Sequence, residues 1–183
     1  LLKFLNGFPE LVVDKNVSDY SGKKIAIDIS ILLYQVVISV RNSGADLTNK
    51  QGKITSHVLG LFNKTCKLLQ KGIIPVYVFD GKPPEIKRKI LDLRKNVRKK
   101  AEEKMAHAES PEDKIKYFKR SVIITKEQID DCRMLLECMG VPYIDAPEEA
   151  DSQCAWLAKN KFVDAVLTED MDILTFGSPL VIR

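Results

Sequence analysis

The chain has 183 residues, 45% of them apolar and 30% charged, with a formal net charge of +4. That length suits one globular domain or slightly more, at about 100–200 residues per domain, and the charge density argues against a membrane protein. The densest apolar stretch, residues 73–79, is broken by Pro75 and falls far short of the ~18 apolar residues a spanning helix needs. The opening Leu1–Leu2–Lys3–Phe4–Leu5 has no basic leader, long apolar run or small-residue cleavage site, so it does not read as a signal peptide.

Taken in chain order, a first Val/Ile-rich run covers residues 24–29, and helical character follows over 31–40. A second helical pattern spans 55–71 and is closed by Gly72, in the C′ position where helices favour glycine. The next apolar run is 73–79. Pro83–Pro84 then opens a different kind of segment. From residue 85 to about 107 the chain is highly charged, with only a short apolar stripe of Ile86, Ile90, Leu91 and Leu93. As a helix it would reach roughly 35 Å at 1.5 Å per residue. Ser110–Pro111–Glu112 reads as a cap and restart, with helix to about residue 120. This segment can cover little core, so residues 82–126 are expected to project as an arm or arch. Helices over 126–139, before Gly140, and 148–159, after Pro147, flank a third apolar run at 141–144. A fourth lies at 164–167, and residues 180–182 read as part of another strand.

Short, nearly continuous apolar runs are how strands buried on both faces of a parallel sheet read. Their alternation with helical segments implies a layered α/β fold with crossover connections. There are no repeats and no low-complexity tract. The four cysteines, Cys66, Cys132, Cys138 and Cys154, form no CxxC pair and lie in partly apolar helical segments. They are expected to be buried, reduced thiols of an intracellular protein. Zinc lacks ligands, because neither His57 nor His107 is near a cysteine in sequence.

The charge is unevenly placed. Residues 82–104 carry ten basic and four acidic side chains, a net +6, which leaves the rest of the chain at −2. A solvated helical face is the ordinary explanation of such a run. The excess of one sign, placed just after Asp80, favours a polyanion partner instead. Lys87 and Arg94 are seven apart, hence on one face of a regular helix, and could touch one phosphate.

Acids follow all four strand-like runs: Asp28, Asp80, the group Asp145 to Asp151, and Glu169 to Asp172. A lone Asp after a strand is usually a helix cap or turn residue, and the helix dipole suffices to explain Glu148. Acids at every strand end are less ordinary. In open α/β sheets ligands bind beyond the carboxyl ends of the strands, so parallel strands would bring Asp28, Asp80, Glu149, Asp151, Asp170 and Asp172 to one rim. Glu149 and Asp151 lie about 200° apart on a regular helix. They can converge only if Glu149 is at the helix entry and Asp151 in its first turn. Asp170 and Asp172 share a face if their backbone is extended. Each close pair of carboxylates costs on the order of 4 kcal/mol at about 4 Å and an effective dielectric near 20, so either protons or cations must sit among them. All-oxygen ligands favour Mg²⁺ or Mn²⁺, and two such ions about 3.5–4 Å apart are a standard device for phosphodiester hydrolysis.

The motifs are specific. Ala26–Ile27–Asp28, Val76–Tyr77–Val78–Phe79–Asp80–Gly81–Lys82–Pro83–Pro84, the run from Gly140 to Ala150, and Thr168–Glu169–Asp170–Met171–Asp172 through Pro179 resemble the flap endonuclease branch of the XPG-type nucleases. The resemblance covers essentially the whole chain. It implies a PIN-like 5′-nuclease fold, with a parallel-sheet core, helices on both faces and a projecting helical arch. Its regions would be an N-terminal nuclease region over 1–101, the arch over 82–126 and an internal nuclease region over 127–183.

It also implies that Asp28, Asp80, Glu149, Asp151, Asp170 and Asp172 hold two Mg²⁺ or Mn²⁺ ions, Asp80 and Asp170 being catalytic. Lys87 and Arg94 would contact the scissile phosphate, Tyr34 would stack on a base, and Arg41, Lys64 and Glu149 would contact substrate. The implied activity is structure-specific 5′ cleavage of branched or flapped DNA, with 5′–3′ exonuclease activity, in replication and repair. A monomer in the nucleus is the family expectation, a viral origin the alternative.

This sequence departs from the family pattern at several points. Asp151 stands where cellular members usually have Glu, and Lys64 replaces an Arg, which loses the bidentate fork. The family's initial Met-Gly segment precedes this span. One more metal-binding Asp, a helix–turn–helix-type module using K⁺, and often a sliding-clamp peptide follow it, so a longer parent protein is expected. Two rival readings are a PIN-type 5′ ribonuclease and a catalytically inactive nucleic-acid-binding scaffold. The flap-type motifs argue against the first, and the presence of all six acids against the second.

Overall fold

The structure is a computed structural model that describes residues 5, 7–42, 47–108 and 110–183. Five strands, β1 (Lys24–Asp28), β2 (Ile74–Phe79), β3 (Tyr143–Asp145), β4 (Ala165–Leu167) and β5 (Val181–Ile182), form one sheet. Its order is β3-β2-β1-β4-β5, and every pairing is parallel. The helices are α1 (Ile29–Asn42), α2 (Ser56–Gln70), α3 (Arg88–Ala106), α4 (Pro111–Ser121), α5 (Lys126–Met139) and α6 (Ala150–Lys159). The strand order steps outward from β1 to β3, then returns to β1's other side at β4. This reversal makes the β1–β4 boundary the topological switch point, where an open α/β sheet leaves a crevice at its carboxyl edge.

Alternation along the strands builds two cores. Ile25, Ile27, Tyr77 and Phe79 face one side, packed with Leu33 of α1, Leu61 and Leu68 of α2, and Leu136 of α5. Ala26, Val78 and Val166 face the other, against Ala150, Cys154, Ala155 and Leu157 of α6. Small residues on both sides of that second interface let α6 lie close to the sheet. The phenol of the buried Tyr77 is satisfied by the Thr65 hydroxyl at 2.8 Å, as an inward polar group must be. Helices therefore cover both faces, as the sequence implies. Among the described residues, no helix is long and apolar enough to cross a membrane.

The local signals explain the boundaries. Thr125 and Gln128 form a capping box at the start of α5. Gly140 ends that helix at φ 66°, and Gly72, just past α2, has φ 74°, both in the left-handed region that favours glycine. Several predicted edges shift. The first strand stops at Asp28, because Ile29 already begins α1, and the helix expected from residue 148 starts at Ala150. The charged segment opens with a 3-10 turn, Glu85–Lys87, before α3 begins at Arg88. Of the cysteines, Cys132 and Cys154 are buried, Cys66 is half-buried and Cys138 is exposed. The expectation of four buried thiols fails at Cys138, which lies on the outer side of α5. All four are free thiols.

Helices α3 and α4 form the projecting hairpin. In α3 only Ala101 is buried, while Leu93 and Val97 stay 64% and 56% exposed. Its 19 residues make it about 28 Å long at 1.5 Å per residue, shorter than the single helix read from the sequence.

The core assignment has a direct test. Leu136 is fully buried where α5 meets the sheet-facing cluster. Leu136→Ala should cost about 2–5 kcal/mol of unfolding free energy, measured by urea denaturation, whereas Met134→Ala on the exposed face of α5 should change it by less than about 0.5 kcal/mol.

Candidate active site

Every acid at the carboxyl edge is placed by the strand or helix end beside it. Asp28 closes β1, and its Oδ1 accepts the Ser30 and Ile31 amides at 2.7 and 3.4 Å, which caps α1. Asp80 follows β2. Its Oδ1 accepts the Ala150 amide at 2.9 Å and its Oδ2 the Ser30 hydroxyl at 2.6 Å. Glu149 is the N-cap of α6 and Asp151 lies in that helix's first turn, the arrangement that convergence requires. The β2–α6 approach is tight. The Gly81 amide donates to the Glu148 carbonyl at 2.6 Å, and a Cβ at Gly81 would stand 2.0 Å from the Ala146 carbonyl oxygen. Only glycine fits there.

The charges feel one another. Burial, then the charges of Asp80 and Asp151, raises the Asp28 carboxyl from its usual 3.8 to about 7. Burial, then the charges of Asp170, Asp80 and Glu149, raises Asp151 to about 6. Five acids from four strand ends thus share one electrostatic site. The charges behind those two shifts do not include Asp172. Asp170 and Asp172 were expected on one face of an extended strand, but the backbone turns first. Thr168 Oγ1 accepts the Asp170 amide at 3.0 Å, and Asp170 Oδ1 accepts the Asp172 amide at 2.9 Å. These local bonds compete with extension and fold Met171–Leu174 into a 3-10 turn, leaving Asp172 exposed.

The basic arm begins beside this rim. Lys87 lies in the 3-10 turn rather than on α3 itself, and its Nζ pairs with Glu149 Oε1 at 2.5 Å. Arg94, on α3, lines a cavity of about 650 Å³ with Ser30, Tyr34, Asp80, Ile90 and Val97. Tyr34 is 36% exposed, with its hydroxyl donating to the Val122 carbonyl at 2.6 Å. Lys64 lies on the other side of Asp28, in a smaller cleft with Thr168, Glu169 and Arg183. Arg41 is in α1, but its side chain lies outside the described residues. Asp145 turns away to pair with Arg133 at 2.7 Å.

Residues 1–101 match the XPG N-terminal domain and residues 140–183 the XPG I-region. The chain belongs to the XPG family. Within it, the similarity is to the flap endonuclease branch. Human flap endonuclease 1 is 46% identical over 178 residues, covering 96% of this chain and 47% of that protein. The chain therefore spans about half the length of the relatives it matches. Among solved structures, flap endonuclease-1 from Methanococcus jannaschii is 42% identical, with a TM-score of 0.68 over 92% of this chain and 55% of that one. The catalytic core of Rad2 in complex with DNA substrate is 31% identical, with a TM-score of 0.68 over 98% and 49%. A junction-resolving enzyme, GEN1, bound to product DNA and Mg²⁺, is 25% identical, with a TM-score of 0.53 over 90% and 29%.

The residues at this XPG-type rim fit divalent ions. Asp151 Oδ1 is buried without a hydrogen-bond partner, and an all-oxygen donor set suits hard cations. Among the described residues no three His, Cys, Asp or Glu side chains already stand as a ligand group. Like charges instead splay onto other partners, Glu149 to Lys87 and Asp80 to Ser30 and the Ala150 amide. Sequence reasoning missed those two donors to Asp80. Nothing in local spacing marks Ser30, because its partner is fifty residues away.

The raised carboxyls set a pH dependence for the metal-free chain. A carboxyl with a raised folded pKa binds its proton more tightly folded than unfolded, so its contribution is fully present below about pH 4 and lost as pH rises through about 6 and 7. Asp28→Asn should therefore gain thermal stability relative to the parent as pH rises across that window, in EDTA. A melting-temperature difference that stays flat from pH 4 to pH 8 would contradict the shared electrostatic site.

Proposed function

We propose that this chain is the catalytic part of a structure-specific 5′ nuclease that hydrolyses phosphodiester bonds at flaps or branches in DNA, in replication and repair. The observation that carries the reading is the convergence of Asp28, Asp80, Glu149, Asp151 and Asp170 on one edge of the sheet, with two carboxyls raised by burial and mutual repulsion. Membership of the XPG family supports it, as does the likeness to a Rad2 core bound to DNA.

In this reading residues 1–101 and 127–183 form the nuclease body and residues 82–126 the arch. Asp28, Asp80, Glu149, Asp151, Asp170 and Asp172 hold two Mg²⁺ or Mn²⁺ ions, Asp172 from the exposed turn that Asp170 caps. A bound pair of such ions supplies a lowered pKa for the attacking water and charge neutralisation on the phosphate. The protein's part is to bring the phosphate there. Lys87 leaves Glu149 for the scissile phosphate, and with Arg94 it stabilises charge that grows in the transition state. The unpaired strand passes beneath α3 and α4, and the exposed ring of Tyr34, pinned through its hydroxyl to Val122, offers a stacking face for the freed base. Lys64, in the cleft beside Asp28, and Arg41 also contact the substrate.

Cleavage of a labelled 5′-flap DNA, a matched RNA flap and a blunt duplex, with Mg²⁺ and with EDTA, tests this. The expected result is Mg²⁺-dependent cutting of the DNA flap. Asp170→Ala should abolish cutting while retaining flap binding in a mobility-shift assay, and Lys87→Ala should lower kcat about 10²-fold. Cutting that survives Asp170→Ala, or that proceeds in EDTA, would sink the proposal.

A further inference from the structure

Ser30 ties two of the converging acids together. It is the second residue of α1, and its amide donates to Asp28 Oδ1 at 2.7 Å. Any residue could supply that bond. The side chain does something particular: Ser30 Oγ donates to Asp80 Oδ2 at 2.6 Å, fifty positions along the chain and just past the end of β2. Serines in a first helical turn ordinarily bond to nearby backbone. This one reaches across the sheet edge. Its length falls in the 2.5–2.7 Å range of O–H···O⁻ bonds, which are about twice as strong as neutral ones.

Among the described residues Asp80 has no other hydrogen bond on that oxygen. Oδ1 is held by the Ala150 amide at the start of α6, and Oδ2 by Ser30 alone among the bonds described. Asp80 stands exposed just past the end of β2. Two donors, one from the start of α1 and one from the start of α6, set the plane of the carboxylate. We infer that Ser30 is a positioning residue that fixes the Asp80 carboxylate for divalent-ion binding at the rim. The inference rests on the reading of Asp80 as a metal ligand. Hydrogen bonds to ligating carboxylates typically govern metal affinity or activity by about 10–100-fold, and the same range applies here.

The test compares Ser30→Ala, which removes the hydroxyl, with Ser30→Thr, which keeps it. Mn²⁺ affinity is read by titration calorimetry, kcat and KM on a 5′-flap DNA, and Asp80 orientation in metal-free crystals. In Ser30→Ala, Mn²⁺ affinity and kcat should each fall about 10–100-fold, with KM and melting temperature unchanged and the Asp80 carboxylate rotated from its parent position. Ser30→Thr should bind Mn²⁺ like the parent. An unmoved Asp80 in Ser30→Ala, unchanged Mn²⁺ binding, or a folded Ser30→Thr as weak as Ser30→Ala would each overturn the inference. The two proposals fail separately. If the parent binds Mn²⁺ and Ser30→Ala weakens it but no flap is cut, the nuclease reading falls and the positioning role stands. If the parent takes up no Mn²⁺, the positioning role falls with the metal site, whereas a parent that cuts flaps and a Ser30→Ala that binds Mn²⁺ unchanged overturns the positioning role alone.

Discussion

Repulsion between carboxylates at the carboxyl edge of an all-parallel sheet is the constraint that organises this molecule. Parallel pairing sends every strand toward the same rim, so an acid placed just after a strand meets the others by topology alone. Burial first, and that crowding second, raises the Asp28 and Asp151 carboxyls. Local geometry answers it with donors: helix-start amides on Asp28 and Asp80, the Ser30 hydroxyl, and the Lys87 ammonium on Glu149. Under the proposed function, a cation at the rim would replace partners of this kind and meet a site already rich in oxygen.

The arm and the rim are joined through that last contact. Lys87 sits in the turn that starts the arm, yet its charge is spent on Glu149 at the head of α6. Under the proposed function, a phosphate drawn to Lys87 or an ion drawn to Glu149 would break this pair and free the other member. Tyr34, in α1, contacts Val122 between α4 and α5, which tethers the returning base of the arm to the body.

Much of this was legible in the residues. Strand and helix positions follow from hydrophobic runs and glycine or capping signals, because those act within a few residues. The run of acids at strand ends is equally local, and so is the condition that Glu149 sit at a helix entry. What escaped was set by three-dimensional competition. Asp172 seemed to share a face with Asp170, but side-chain capture of two backbone amides turned the chain first. Lys87 seemed to lie on a long helix, but that helix starts one residue later. Cys138 carries no mark in sequence that separates it from the buried Cys132 six residues earlier. The Ser30–Asp80 bond joins residues whose separation hides any pattern.

The α3–α4 hairpin has a thermodynamic consequence. With one buried residue in α3 and broad apolar exposure along it, the arm contributes little to the free energy that holds the sheet together. Such a segment is a separate cooperative unit at the low-stability end of the molecule. It can open and re-form many times while the body stays folded, and its amides would exchange with solvent long before those of β1 or β2. A hairpin built this way can open without unfolding the sheet that carries the carboxylates.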